Sequence, residues 1–145
     1  MSQDKIEWVK PGVLARSSRP GWWDDRALEV VVSEWTDRVQ AMGVRSIICL
    51  LSKRELTKFY GQHGIDLLQR YASAGFTVTH LPATDHKAPP LTAGKLRQLG
   101  PALAPLPGPW LTHCSAGIDR TGSAIAYLLA QPELLHHPVK KAETP

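Results

Sequence analysis

The 145-residue chain has only two cysteines, Cys49 and Cys114, and they form no Cys-x-x-Cys pair. Thiols this sparse exclude a disulfide framework and a cysteine-rich zinc site. The six histidines show no metal-ligand spacing, with adjacent His136 and His137 near the C-terminus, so no metal and no cofactor is assigned. No apolar run approaches the length of a membrane span, and Met1-Ser2-Gln3-Asp4-Lys5-Ile6-Glu7-Trp8 lacks the basic and apolar blocks of a signal peptide. The expectation is a cytoplasmic protein without stable membrane insertion, in a compartment reducing enough to preserve a reactive thiol. There is no internal repeat and no room for a second domain, although the length suffices to bury a real core. A formal charge of +4 suits an anionic partner, but charge alone does not choose between a phosphate ester, nucleic acid and an acidic membrane.

The informative segment runs from 113 to 122: His-Cys-Ser-Ala-Gly-Ile-Asp-Arg-Thr-Gly. Cys114 and Arg120 are separated by five residues, with a hydroxyl directly after the arginine. An apolar stretch, Pro109 to Thr112, precedes this segment and a helix-like run, Thr121 to Leu129, follows it. A strand-loop-helix turn of this kind is an anion site, because its amide N–H groups converge where the helix dipole begins. The loop Ser115, Ala116, Gly117, Ile118, Asp119 and Arg120 would cradle phosphate oxygens, with Gly117 where a Cβ is least tolerated. The amide dipoles and Arg120 favour the thiolate form of Cys114, and the planar fork of Arg120 can hold two phosphate oxygens at once. Thr121 can direct its hydroxyl at the sulfur and stabilise it as a leaving group. His113 is read as orienting the loop rather than moving protons.

A displaced alkoxide or phenoxide needs a proton. Asp85 is the candidate donor, 29 residues before Cys114 in a proline-stiffened loop after the strand-like run Phe76 to Leu81. Strand ends in α/β folds are where catalytic loops gather. The remaining pattern alternates strand and helix. Strands are expected at Val13 to Arg16, Ser46 to Leu51 and Phe76 to Leu81. A helix capped by Asp24 or Asp25 should run to about Met42, with Leu28, Val31, Val32, Trp35, Val39 and Met42 on one face. Helical stretches broken near Gly61 and Gly64 follow, then Leu67, Leu68, Tyr71 and Ala72 at helical spacing. Thr92 should cap a helix that Gly100-Pro101 kinks or ends. Ile125, Leu128 and Leu129 are expected to pack inward. Cys49 is read as a buried hydrophobe, with a redox partnership to Cys114 as the alternative. Arg16, Arg19 and Lys87 are read as solvated cations, with a substrate entrance as the alternative. Trp22-Trp23 is read as a hydrophobic staple, and Asp119 as an outward carboxylate complementing a helix N-terminus.

These residues resemble the cysteine-dependent protein tyrosine phosphatase superfamily and, more narrowly, its small dual-specificity branch. Gly43 to Leu56, Asp66-Leu67-Leu68 and Pro82-Ala83-Thr84-Asp85 are similar to segments of the kinase-associated phosphatase group. Leu14 to Pro20 is similar to the opening strand and turn of many dual-specificity enzymes. The resemblance implies a single three-layer α/β domain with a central, mostly parallel sheet of about four to five strands flanked by helices, and a short C-terminal part. Residues 1–131 would be the phosphatase domain and residues 132–145 a polar tail that frays. It assigns nucleophile to Cys114, phosphate clamp to Arg120, thiolate-supporting hydroxyl to Thr121 and general acid to Asp85. Two features depart from the family. Asp119 stands where glycine is frequent, as in some lipid phosphatases, and little chain remains for the helices that commonly follow.

The implied function is phosphomonoester hydrolysis through a phosphocysteine, on phosphotyrosine and on phosphoserine or phosphothreonine in proteins. A phosphoinositide or another small phosphate ester is the rival substrate. RNA 5′-triphosphatase and rhodanese-type sulfurtransferase are weaker rivals, and a noncatalytic phosphoprotein-binding module is the alternative of another class. The expected partner is a phosphorylated protein or phosphate ester, not nucleic acid.

Overall fold

The computed structural model describes residues 3–135. Five strands, β1 (Ile6–Lys10), β2 (Leu14–Ser17), β3 (Ser46–Cys49), β4 (Thr77–His80) and β5 (Trp110–His113), form one sheet in the order β1-β2-β5-β3-β4. Only the β1–β2 pair is antiparallel; β2, β5, β3 and β4 run parallel. Five helices, α1 (Leu28–Ala41), α2 (Lys53–Phe59), α3 (Leu67–Ser73), α4 (Ala93–Leu103) and α5 (Asp119–Leu129), cover the two faces. This is the single three-layer α/β domain expected from the alternating pattern.

The two-residue period of a strand sorts the core into two layers. Leu14, Ile48, Leu50 and Trp110 face α4 and α5, packing with Leu99, Leu103, Ile125 and Leu128. Ala15, Ile47, Cys49, Leu51 and Leu111 face the other way, against Val32, Trp35 and Val39 of α1 and Leu67 and Tyr71 of α3. Residues 46–51 are buried throughout, as expected of a strand covered on both faces.

Several boundaries differ from the sequence expectation. β1 was not foreseen: as an edge strand it mixes Glu7 and Lys10 with half-buried Ile6, Trp8 and Val9. α1 begins after Ala27, with no side-chain cap. Asp24 is instead tied to Arg26, which in turn pairs with Glu34. Trp22 and Trp23 are both exposed, lying near the Arg19 guanidinium and the Lys5 ammonium rather than stapling the helix. Thr92 caps α4 as expected, but the helix runs through Pro101 to Leu103, because Leu99 and Leu103 bury on the core. Leu129 points outward, and Ala124 takes its expected place beside Ile125 and Leu128.

Pro132–Leu135 forms a 3-10 turn that buries Leu135 among the α4–α5 core residues and seats Leu134 against Gly100. The turn supplies apolar cover where the chain has few residues left. The rest of the expected tail, 136–145 with His136 and His137, lies outside the described residues.

Candidate active site

The loops leaving β2, β3, β4 and β5 all emerge at the carboxyl edge of the parallel strands, and four separate stretches of sequence meet there. Residues 114–118 join β5 to α5. Cys114 is 2 % exposed at the end of the central strand. Gly117 has φ +79°, and a Cβ on it would lie 2.6 Å from the Ser17 carbonyl oxygen and 2.7 Å from the Ser18 nitrogen. Only glycine fits, since both the left-handed backbone and the approach to β2 exclude a side chain.

The loop's polarity is one-sided. His113 Nδ1–H donates to the Cys114 carbonyl at 2.9 Å, Arg19 N–H to that of Ser115 at 2.8 Å and Arg16 Nη2 to that of Gly117 at 2.6 Å. Ile118 O accepts from Gly122 N–H at 2.7 Å. The amide N–H groups of Ser115 through Arg120 find no acceptor among the described residues. Satisfied carbonyls with amides left over are an arrangement by which backbone loops can bind anions.

His113 is wholly buried, and desolvation pushes its pKa down to about 4, so the ring is neutral near pH 7. Because a carbonyl can only accept, Nδ1 carries the proton, and Nε2 therefore accepts from the Tyr71 hydroxyl at 2.9 Å. Trp35 stacks on Tyr71 at 5.2 Å and meets His113 edge-on at 5.6 Å, so an aromatic cluster surrounds the ring that holds the Cys114 carbonyl.

Arg120 is 1 % exposed. Its end-on edge is occupied: Nη1 donates to Glu55 Oε1 at 2.6 Å and to the Ala83 carbonyl at 2.8 Å, and Nη2 donates to Glu55 Oε2 at 2.9 Å. Burial is the largest single influence and opposes its charge, but the hydrogen bonding and charge of Glu55, with smaller contributions from Cys114 and Asp85, together outweigh it and raise the guanidinium pKa. The same balance, read from the other partner, keeps Glu55 ionised. The side-on edge is open. Nε has no acceptor among the described residues, and Nη2 has the Asp85 carboxylate at 3.4 Å.

Asp85 lies on the loop after β4, its Oδ1 accepting from the amide of His86 at 2.9 Å. His86 has φ +60°, an uncommon backbone for a non-glycine residue and one that turns the loop sharply beside the carboxylate. Thr121 is fully buried, and its hydroxyl makes no hydrogen bond, so the expected bond to the Cys114 sulfur is not formed in this structure. Asp119 is exposed in the first turn of α5. Cys49 is fully buried, and desolvation pushes its thiol up to about 12. Both cysteines are free. Among the described residues no group of three potential metal ligands gathers, and no helix is long and apolar enough to cross a membrane.

Sequence reasoning missed Glu55 altogether and misread Arg16 and Arg19, which brace the phosphate loop instead of standing in solvent. Glu55 did carry a signal. Ser52-x-x-Glu55 is a capping box: Glu55 N–H donates to Ser52 Oγ at 3.1 Å and Ser52 N–H to Glu55 Oε1 at 2.8 Å. Placed just past a buried strand, that box fixes a carboxylate at the sheet's carboxyl edge.

Residues 32–133 match the family model described as "Polymorphic toxin system, DSP-PTPase phosphatase". The chain belongs to this phosphatase family. No curated protein matches the sequence. Among solved structures, the phosphatase is similar to kinase associated phosphatase with serine at its catalytic cysteine, at TM-score 0.65 and 18% identity over 88% of this chain and 74% of that one. A putative phosphatase from Shewanella putrefaciens CN-32 matches at TM-score 0.61 and 18% identity, covering 88% of this chain and 72% of that one. The core catalytic domain of the PP-IP phosphatase SIW14 from S. cerevisiae matches at TM-score 0.52 and 22% identity, covering 86% and 64%. At these identities the likeness shows the fold. The DSP-PTPase family match, together with that fold, makes the protein a cysteine-dependent phosphatase that acts on phosphorylated substrates.

The site geometry yields an expected result for the loop glycine. Gly117→Ala should cost about 1–3 kcal/mol from the backbone conformation alone, with the collision against Ser17 and Ser18 in addition. Thermal melting checks this, and the loss of turnover should exceed what the fraction unfolded explains.

Proposed function

We propose that Cys114 attacks the phosphorus of a phosphomonoester in line, with Arg120 and the loop amides of Ser115 to Arg120 holding the three non-bridging oxygens. The supporting observation is the pairing of unsatisfied donors: loop amides without acceptors and a buried Arg120 Nε–H that has none among the described residues. An unpaired buried donor costs about 1–3 kcal/mol, and a phosphoryl group satisfies several at once. These interactions strengthen as the equatorial oxygens gather charge in the transition state.

Asp85 in its acid form protonates the leaving oxygen. As carboxylate it then takes a proton from the water that hydrolyses the phosphocysteine. Its contact with Arg120 Nη2 at 3.4 Å puts it beside the edge assigned to the phosphate, so substrate would displace it toward the leaving group. Thr121, whose buried hydroxyl has no partner, is the group available to stabilise the departing thiolate. His113 holds the loop and transfers no proton. We further propose that the substrate is a phosphotyrosine protein, with phosphoserine and phosphothreonine also accepted, in the reducing cytoplasm where Cys114 stays unoxidised. No cofactor enters these steps.

Leaving-group dependence tests the acid assignment. Asp85→Asn should lower kcat by about 10²-fold for a phosphoserine peptide, whose alkoxide needs a proton, and by less than about 10-fold for p-nitrophenyl phosphate. Equal losses on both substrates would remove Asp85 from that role.

A further inference from the structure

The loop carrying Asp85 has a second feature that the chemistry above does not use. Pro82, Ala83 and Thr84 on one side of Asp85, and Lys87 to Leu91 on the other, line a cavity of about 510 Å³ with Thr92 and Lys95 of the α4 cap. Three of its walls are proline, which fixes its shape with little conformational freedom to lose. Lys87 and Lys95 both line this cavity, and among the described residues neither has a carboxylate within ion-pair distance, so both charges are available to an anion that enters.

The cavity's position decides which anion. A general acid must lie against the leaving oxygen, and the cavity is lined by residues on both sides of Asp85 in the loop that carries it, so a group borne by the leaving alcohol would enter beside it. Ala83 connects the two regions: it lines the cavity, and its carbonyl accepts from Arg120 Nη1 at 2.8 Å. We propose that this cavity is a leaving-group subsite, in which Lys87 and Lys95 hold a second anionic group, phosphate or carboxylate, borne by the same substrate whose phosphoryl group Arg120 clamps. The preferred substrate is then a phosphate ester with a further negative charge on the alcohol or phenol side. That charge comes either from an acidic residue beside the phosphorylated one in a peptide or from a second phosphate on a small polyol. The apolar wall formed by Pro82, Ala83, Pro89, Pro90 and Leu91 packs against the body that links the two charges.

This inference rests on the phosphatase reading of the site and on Asp85 as its acid. Its test compares the wild type with Lys87→Gln/Lys95→Gln on four substrates. They are p-nitrophenyl phosphate, a phosphotyrosine peptide flanked by glutamates, the same peptide flanked by glutamines, and a bisphosphorylated cyclitol. The wild type should favour the doubly anionic substrates, and the double variant should lose about 5- to 20-fold in kcat/KM on them, chiefly through KM. p-Nitrophenyl phosphate should stay within about twofold, and Lys87→Arg/Lys95→Arg should restore most of the loss. Whichever of the glutamate peptide and the bisphosphate shows the larger lysine-dependent gain identifies the source of the second charge. Equal losses on all four substrates, or a preference that survives in the glutamine variant, would overturn the subsite. If the wild type shows no Cys114-dependent turnover of p-nitrophenyl phosphate, the phosphatase reading itself fails. Calorimetry of the bisphosphate with Cys114→Ser, with and without the lysines, still reports on the subsite in that case, and unchanged affinity would overturn it.

Discussion

Cys114→Ser is expected to lower kcat by at least about 10⁴-fold while leaving oxyanion affinity within about tenfold of the wild type. The reasoning separates what the sulfur does from what surrounds it. The loop carbonyls are held from outside by His113, Arg16 and Arg19 whatever atom sits at the end of the Cys114 side chain. The amide ring and the Arg120 edge therefore persist in the serine variant, and so does the binding of phosphate or vanadate. The proposed nucleophile is lost, because a serine hydroxyl is a poorer nucleophile than a cysteine sulfur without a base to deprotonate it, and His113, neutral and committed at both ring nitrogens, cannot act as that base. Single-turnover kinetics on p-nitrophenyl phosphate, with vanadate affinity measured in parallel, give both quantities. A serine variant that keeps more than about one per cent of wild-type turnover would falsify the phosphocysteine route.

Arg120→Lys should cost about 10³-fold in kcat/KM although it keeps the positive charge. A single ammonium cannot present one edge to Glu55 and another to a phosphoryl group. In the wild type, Nη1 and Nη2 engage the two Glu55 oxygens at 2.6 and 2.9 Å, which fixes the guanidinium plane and aims Nε at the pocket. Lysine would pair with Glu55 as a point charge and leave the pocket without its fork. Removing the charge adds a folding penalty. Arg120→Ala strands the Glu55 carboxylate, whose side chain is 14% exposed, and breaking such a buried pair costs about 3–5 kcal/mol. Kinetics on the lysine variant and chemical denaturation of the alanine variant measure the two consequences separately. A lysine variant within tenfold of wild type would mean that charge alone, and not the fork, carries phosphate recognition.

The turn from β5 into α5 was legible because its signals are contiguous: cysteine, glycine, arginine and hydroxyl fall within eight residues between an apolar strand and a helix-like run. β3 was legible because burial on both faces writes an unbroken apolar run from Ile47 to Leu51. Asp85 could be singled out because a strand end followed by prolines limits where a carboxylate can stand. The supports of the site were hidden by distance along the chain. Arg16 reaches Gly117 across 101 residues, and Glu55 reaches Arg120 across 65, and no periodicity records such contacts. β1 escaped because an edge strand carries charges on one side and only half-buries the other, which blurs the alternation that marks a strand. Pro101 misled for a different reason: the local cost of proline in a helix was outweighed by Leu99 and Leu103 on the core.

Glu55 Oε1 both finishes the first turn of α2, accepting from Ser52 N–H, and accepts from Arg120 Nη1, while Oε2 accepts from Arg120 Nη2. A glutamine there could still seal the helix terminus yet would surrender the ionic half of the contact, while an aspartate would fall a methylene short of both. Pressure to fold and pressure to turn over substrate thus converge on one side chain.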